Sequence, residues 1–382
     1  MDTRVKYVTH FRLDKVDDVG GFSPTNVQKG NYFWLLVRAS VTSDEPEFFK
    51  YVEQVSNYFF NKVGVVQDSV YKFLVLLHKD LSTDLYINDF PIAIEILAKR
   101  DIKETELVSE RDIADIRRLK FPDVKIVETD KVICCFKVGW RFGLFFDLDR
   151  QEKLDIDAMY LDLGRLYREL QFHYIYKVLE SKPQFEEMMK DGWFPFVELL
   201  GGEYRILIDA YSDRFDFDNR IQKVLGGFDR LRIERMTSRW WRNKIYENKK
   251  GLLQAGVNAF LQNDSEGYIT CIKTLLSEAE GIIRVKYFTD TAKGKDVSTQ
   301  DLLEHLLEKA RTKSVSDRSL MLPVPFFDYL RNVVFSGFNL ETGQVSLSRH
   351  STSHGVADAS VYTRARALQA ILVLDQIYFY IS

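Results

Sequence analysis

The chain has 382 residues, of which 46% are hydrophobic and 29% charged, a composition that is ordinary for a globular protein. Its formal net charge of −3 at pH 7 excludes a generally basic protein, so any surface for nucleic acid must be local. The length suits two or three domains, and only eight prolines argue against long disordered linkers.

The first 149 residues are predicted to form an α+β domain in which strands and helices are mixed. Apolar runs predict the strands, and apolar residues three or four positions apart predict the helices. The predicted strands cover residues 32–41, 71–78, 92–97, 124–127 and 132–146, and the predicted helices cover residues 47–62 and 112–119.

Residues 132–146 have the clearest strand pattern in the chain. Large apolar residues, among them Trp140 and Phe142, alternate with residues that include Gly139 and Gly143. This alternation predicts one strand with a single buried face. The glycines either relieve twist opposite bulky side chains, which is the interpretation we favour, or allow another group to approach closely.

Acidic residues cluster between positions 147 and 157, where the strand pattern gives way to a helical one. Carboxylates of this kind can hold Mg²⁺. An acidic cluster at a strand–helix junction more often forms a turn and caps the helix. We therefore predict a helix N-cap here, and no metal site or cofactor.

Residues 150–246 are predicted to be a helical connector, and the segment at 219–250 is strongly basic. It holds ten lysines and arginines against three acids, a local charge of +7. Cations interleaved with aromatic rings suit a phosphate backbone with stacked bases, but a solvated helix face would give the same pattern. The candidate RNA-binding residues are Arg235, Arg239, Arg242, Trp240 and Trp241.

Residues 247–382 are predicted to form a helical bundle. Apolar stripes at helical spacing mark five segments, and several such helices with short connections make a bundle. The segments begin near positions 251, 266, 298, 325 and 361. The predicted fold class is therefore α+β, with domains at 1–149, 150–246 and 247–382.

The strongest concentration of chemistry lies just before the last predicted helix. The run Arg349-His350-Ser351-Thr352-Ser353-His354 combines a planar guanidinium fork, which holds phosphate well, with imidazoles that move protons near neutral pH. The nucleotide-binding glycine loops, the zinc-protease motif and the serine-hydrolase elbow are all absent from the sequence.

This run resembles the R-x4-6-H motif of the HEPN superfamily, whose fold is an antiparallel helical bundle with the motif near the start of a late helix. The resemblance covers roughly the last third of the chain, and residues 1–246 match no family that we recognise. It implies a metal-independent endoribonuclease of the kind found in phage defence, abortive infection and toxin–antitoxin systems. No cofactor is implied.

The resemblance also implies roles for individual residues and partners. Arg349 would hold the scissile phosphate, His354 would act as general acid or base, and His350 would support the site. Arg364 and Arg366, early in the last helix, would add phosphate contacts. HEPN sites typically face each other across a two-fold axis, so the partners implied are RNA, a second copy through the C-terminal bundle, and a protein trigger or antitoxin.

Three other interpretations of the motif remain open. The bundle can be a non-catalytic module that binds RNA or protein. The run can be a polar turn, with Asp358 or Ser360 capping the last helix. A zinc site through His350 and His354 is the weakest of the three, because no third ligand lies nearby in the sequence.

The cysteines and the apolar segments indicate the compartment. Cys134, Cys135 and Cys271 have neither metal-site nor disulfide spacing, which favours a reducing environment. The N-terminus has no apolar signal-peptide core, and the apolar run at 368–381 is too short and too interrupted to cross a membrane. We therefore expect a cytoplasmic protein with no membrane partner.

Overall fold

The computed structural model describes residues 9–149, 151–292, 297–314, 316–336 and 358–382. The chain divides into two compact units, and each is discontinuous in sequence. Unit 1 comprises Met1–Ile96 and Ile116–His173, and unit 2 comprises Leu97–Asp115 and Tyr174–Ser382. The domain boundaries predicted from the sequence, after residues 149 and 246, differ from this division into two units, and they remain a prediction.

The described residues contain eight strands, and six of them form one antiparallel sheet in unit 1. Their order across this sheet is β1-β4-β3-β7-β8-β2, and β5 and β6 form a separate two-stranded sheet. The strands are β1 (His10–Leu13), β2 (Arg38–Thr42), β3 (Phe73–Leu77), β4 (Thr83–Ile87), β5 (Ala93–Ala98), β6 (Ile113–Lys120), β7 (Lys131–Val138) and β8 (Arg141–Asp147).

The described residues contain thirteen α-helices, most of them C-terminal to the large sheet, so the predicted α+β class is confirmed. The helices are α1 (Pro46–Val55), α2 (Ile156–Gln171), α3 (His173–Glu180), α4 (Lys182–Lys190), α5 (Glu203–Ser212), α6 (Phe217–Gly226), α7 (Arg230–Ser238), α8 (Lys244–Asn248), α9 (Lys250–Gln262), α10 (Ser265–Thr291), α11 (Thr299–Lys313), α12 (Pro323–Tyr329) and α13 (Arg364–Ile381). Within the described part of the chain, no helix has the length and apolarity needed to cross a membrane.

The large sheet of unit 1 is buried on both faces. Every residue of β3 is buried, and successive side chains join two different cores. Val75 belongs to the core that contains residues of α1, and Leu74 belongs to the core that contains residues of α2. A strand buried on both faces is a continuous apolar run, as the sequence of β3 is.

Three sequence predictions within the first 149 residues are wrong, and one of them is the strand predicted at 124–127, where the structure has no strand. Residues 132–146 form a hairpin, not one strand: Val138 pairs with Arg141, Gly139 has φ of 59°, and Trp140 is 92% exposed at the turn. Glycine takes this left-handed conformation without a steric cost, so the alternation continues through a two-residue turn. Residues 112–119, predicted as a helix, lie largely in strand β6, because a short apolar run fits either element.

Position 143 requires a glycine because helix α2 approaches strand β8 closely at this point. Twist relief, the role favoured from the sequence, does not describe this glycine. A Cβ at this position would lie 2.8 Å from side-chain atoms of Leu166 and Leu170, which belong to α2. The acidic cluster caps this same helix: the Asp155 side chain accepts a hydrogen bond from the amide of Ala158 at 3.0 Å. The predicted N-cap is therefore confirmed.

Helices α9, α10 and α11 of unit 2 all pack against α13. Every residue of α13 from Ala367 to Ile381 is buried. Its polar residues are satisfied inside the unit: the Gln376 side chain accepts a hydrogen bond from the amide of Val197 at 2.9 Å and donates one to the carbonyl of Met321 at 3.2 Å. The last helix is therefore the central element of this bundle.

Candidate functional site

The motif residues Arg349, His350 and His354 lie outside the described residues, within positions 337–357. The chain is described again from Asp358, whose side chain accepts a hydrogen bond from the amide of Ser360 at 2.8 Å. This aspartate caps a short 3-10 turn, whereas α13 itself is capped by Thr363. Asp358 and Ser360 are therefore not the N-cap of the last helix.

Arg364 and Arg366 lie in the first turn of α13, as the sequence places them. Arg364 donates to the carbonyl of Leu225 at 3.3 Å, and Arg366 donates to the carbonyl of Lys190 at 3.3 Å. Neither guanidinium forms an ion pair with a carboxylate among the described residues. Their positive charges are therefore not neutralised by the part of the chain that the structure describes.

The basic segment at 219–250 carries less free charge than its composition predicts. Six of its ten cations are ion-paired, and five of the six partners lie elsewhere in the sequence. The pairs are Arg220–Asp213, Arg230–Glu234, Arg232–Glu203, Arg239–Glu198, Arg242–Asp101 and Lys249–Glu278.

Arg239 and Trp240 lie in the interior of unit 2. The Arg239 side chain is 12% exposed and pairs with Glu198 and Asp375, and the indole of Trp240 donates to Asp375 at 2.7 Å. Burial raises the pKa of Asp375, and the positive charge of Arg239 opposes that shift. A buried group cannot reach a phosphate, so Arg239 and Trp240 are removed from the candidate RNA-binding residues.

The other three candidates of the segment lie nearer the surface. Arg242 is exposed but forms two hydrogen bonds with Asp101, at 2.8 and 2.6 Å. Trp241 is partly buried, with the ammonium of Lys250 5.3 Å from its ring centre. Arg235 is exposed and has no carboxylate partner among the described residues. Arg235 is therefore the candidate with the most available charge.

Arg235 also lines a cleft of about 270 Å³ in unit 2, together with Lys99 and Arg111. Sequence reasoning missed this cluster. Lys99 and Arg111 belong to the segment Leu97–Asp115, which is far from Arg235 in sequence but folds into the same unit. Local spacing in the sequence carries no signal for such a contact.

A second polar cluster that the sequence did not reveal lies in unit 1 around His78. Its Nδ1 lies 2.8 Å from a carboxylate oxygen of Asp130, and its Nε2 lies 2.9 Å from one of Asp84. Asp84 also accepts a hydrogen bond from Arg12 at 2.9 Å. Both imidazole nitrogens are hydrogen-bonded to carboxylates, so neither is available to transfer a proton to or from a substrate.

The pKa of His78 reflects this arrangement. Burial by itself lowers it, but the hydrogen bonds and negative charges of Asp130 and Asp84 outweigh burial, and the net pKa is raised. The imidazolium is therefore a structural cation held between two aspartates. Strand pairing brings these groups together, since Asp84 lies opposite Leu76 near the end of β3.

Comparison of the chain with models of protein families, with curated proteins and with solved structures finds no match. The polar clusters described above therefore rest on their own geometry and on the chemistry of their side chains.

Proposed function

We propose that the chain is a metal-independent endoribonuclease of the HEPN type that works in the cytoplasm. The observation that carries the proposal is the bundle of unit 2, in which α9, α10 and α11 surround the buried last helix. The Arg349–His354 motif lies a short way before this helix, which begins at Arg364, in keeping with the family that it resembles. Buried thiols at all three cysteines suit the proposed reducing compartment.

The proposed chemistry uses the RNA's own 2′-hydroxyl as nucleophile. His354 takes or gives the proton, Arg349 holds the phosphate oxygens through its planar fork, and His350 supports the site. Cations stabilise the negative charge that develops on the phosphorus oxygens. Cleavage of this kind requires neither a metal nor a cofactor.

Arg364 and Arg366 are proposed to bind the RNA backbone next to the motif. Both are partly exposed, and neither forms an ion pair with a carboxylate among the described residues. Arg235, Arg242 and Trp241 are proposed as a second, weaker set, because the Arg242 charge is shared with Asp101. Free cations contribute more to RNA affinity than paired ones.

A homodimer is part of the proposal. One arginine and one histidine provide few groups for in-line chemistry, and a two-fold axis through the bundle would place two motifs at one phosphate. A protein trigger or antitoxin would regulate the pair, with roles in phage defence, abortive infection or toxin–antitoxin systems.

The products of the reaction test the proposal. Purified protein incubated with mixed RNA in the presence of a chelator is expected to release fragments with 2′,3′-cyclic phosphate ends. A DNA analogue, which lacks the 2′-hydroxyl, should be bound and left intact. RNA that is bound but never cut would favour the alternative, a non-catalytic RNA- or protein-binding bundle.

A further inference from the structure

The Lys99 cleft of unit 2 is a built pocket and not an open patch of surface. It encloses about 270 Å³, near the lower limit for small-molecule sites. Its walls come from residues after β5, from the segment before α5 and from the start of α7. Lys99, Arg111 and Arg235 provide its positive charge.

Lys99 is 5% exposed, and its position is fixed by its backbone. Its amide donates to the carbonyl of Asp112 at 2.8 Å, and its carbonyl accepts from Arg239 at 2.9 Å. Its ammonium forms no hydrogen bond or salt bridge with a described residue, and Glu198 and Glu203 are the nearby negative charges that act on it. An ammonium in the wall of a cleft without a hydrogen-bond partner points to an anionic ligand.

The carboxylates of the same cleft already form hydrogen bonds, two of them with arginines. Glu203 accepts a hydrogen bond from Arg232 at 2.6 Å, and Glu198 accepts one from Arg239 at 2.7 Å. Asp229 caps α7, accepting from the amide of Arg232 at 2.8 Å. Two of the three carboxylates are thus paired with arginines within the unit, and no carboxylate forms a salt bridge with Lys99, Arg111 or Arg235 among the described residues.

The two arginines differ from Lys99 in the shape of their charged group, although all three are cations. Arg111 and Arg235 are exposed, and neither forms an ion pair within the described ranges. A guanidinium binds two phosphate oxygens at once, whereas an ammonium acts as a point charge. Three such groups around one small cleft suit a tetrahedral dianion better than a planar carboxylate, which one arginine can satisfy.

We propose that this cleft binds the phosphomonoester group of a small molecule such as a nucleoside monophosphate, held by Lys99, Arg111 and Arg235. This proposal does not depend on the proposed nuclease activity, although Arg235 also belongs to the proposed RNA-binding set. It adds a small-molecule ligand to the RNA and protein partners proposed above.

The protonation of Lys99 suits this role. Burial lowers its pKa to about 8, with Glu198 and Glu203 opposing and Arg232 and Arg239 adding to that shift. The amine is therefore mostly charged at about pH 7, and a bound dianion would raise its pKa further. We expect the ligand's affinity to fall as the pH rises above about 8, because the free protein must then take up a proton on binding.

The test is a calorimetric titration of the full chain with inorganic phosphate, AMP and adenosine. Phosphate and AMP are expected to bind saturably, and adenosine is not. Lys99→Gln and Arg235→Gln should each weaken AMP binding roughly 10- to 100-fold, the usual loss for one charged hydrogen-bonding group. Lys244→Gln, an exposed cation of the basic segment that does not line the cleft, is the matched control and should bind as the wild type does.

Arg235 is exposed, so its variant should fold even if the buried Lys99→Gln variant does not. Failure of the wild type to bind either phosphate or AMP would overturn the proposal. Equal affinity for adenosine and AMP would do the same, as would unchanged AMP binding in Arg235→Gln. Binding of phosphate alone, without AMP, would retain the anion site and exclude a nucleotide. None of these results bears on RNA cleavage.

Discussion

At the scale of single residues, the largest difference between sequence and structure concerns which charges are free. The sequence predicts +7 for residues 219–250, but carboxylates from distant positions neutralise about half of these cations. Composition gives the number of charged residues in a segment. It does not show which carboxylates from other parts of the chain lie beside them in the folded protein. Arg239 shows the consequence, since a residue predicted for RNA is a buried ion-pair partner of Glu198 and Asp375.

Replacement of Arg239 tests this structural role. Arg239→Ala leaves the carboxylates of Glu198 and Asp375 buried without their guanidinium, and it should destabilise the protein by about 3–5 kcal/mol. Arg242→Ala is the matched control, because its pair with Asp101 is on the surface and should contribute little. Chemical denaturation measures both. Equal midpoints for the two variants would contradict the assignment of Arg239 to the interior.

The His78 cluster predicts how stability depends on pH. Because Asp130 and Asp84 raise the folded-state pKa of His78, the stabilisation is fully present below the unfolded value of about 6.5 and is lost as the pH rises through the folded value. Melting temperatures of wild type and His78→Gln should therefore differ more at about pH 6 than at about pH 9. A difference independent of pH would show that the imidazolium is not what stabilises the cluster.

At the scale of elements, periodicity identifies most of the helices and strands but not the turn that interrupts a pattern. The alternation at 132–146 passes unbroken through Gly139 and Trp140, where the chain reverses. The sequence also did not show that both faces of this sheet are buried, because a period-two pattern with one apolar face predicts that only one face is buried. Both faces are buried because one core contains residues of α1 and the other contains residues of α2, and both helices come from elsewhere in the sequence.

Gly143 gives a test of the packing between β8 and α2. A methyl group there would meet Leu166 and Leu170 at 2.8 Å, so Gly143→Ala should destabilise the protein by about 1–3 kcal/mol. Gly251→Ala, in α9 with open space around the added methyl, is the control and should stabilise by roughly 0.5–1 kcal/mol. If Gly143→Ala melted at or above the wild-type temperature, the close approach would be refuted.

At the scale of the whole molecule, the α+β class and the C-terminal position of the bundle were predictable, because both follow from periodicity summed over long segments. The assignment of Leu97–Asp115 to unit 2 was not, since this segment is flanked in sequence by residues of unit 1. The Lys99 cleft depends on that assignment. A site built from segments that are distant in sequence leaves no local motif.

The proposed homodimer is tested at this scale. Light scattering at micromolar concentration should give twice the mass of one chain. If both subunits contribute to one site, mixing Arg349→Ala with His354→Ala subunits should restore part of the activity that each variant lacks. A monomer, or a dimer in which such mixing restores nothing, would argue against a shared site.

The central claim is RNA cleavage by His354, and the rate of cleavage in chelator, compared between wild type and His354→Ala, tests it most directly. Wild type should cut RNA at the same rate with and without chelator. His354→Ala should be slower by roughly 10²–10⁴-fold, the usual range for removing a general acid or base, with an unchanged circular dichroism spectrum. Full activity in His354→Ala, or wild-type activity that disappears with the metal, would contradict the account.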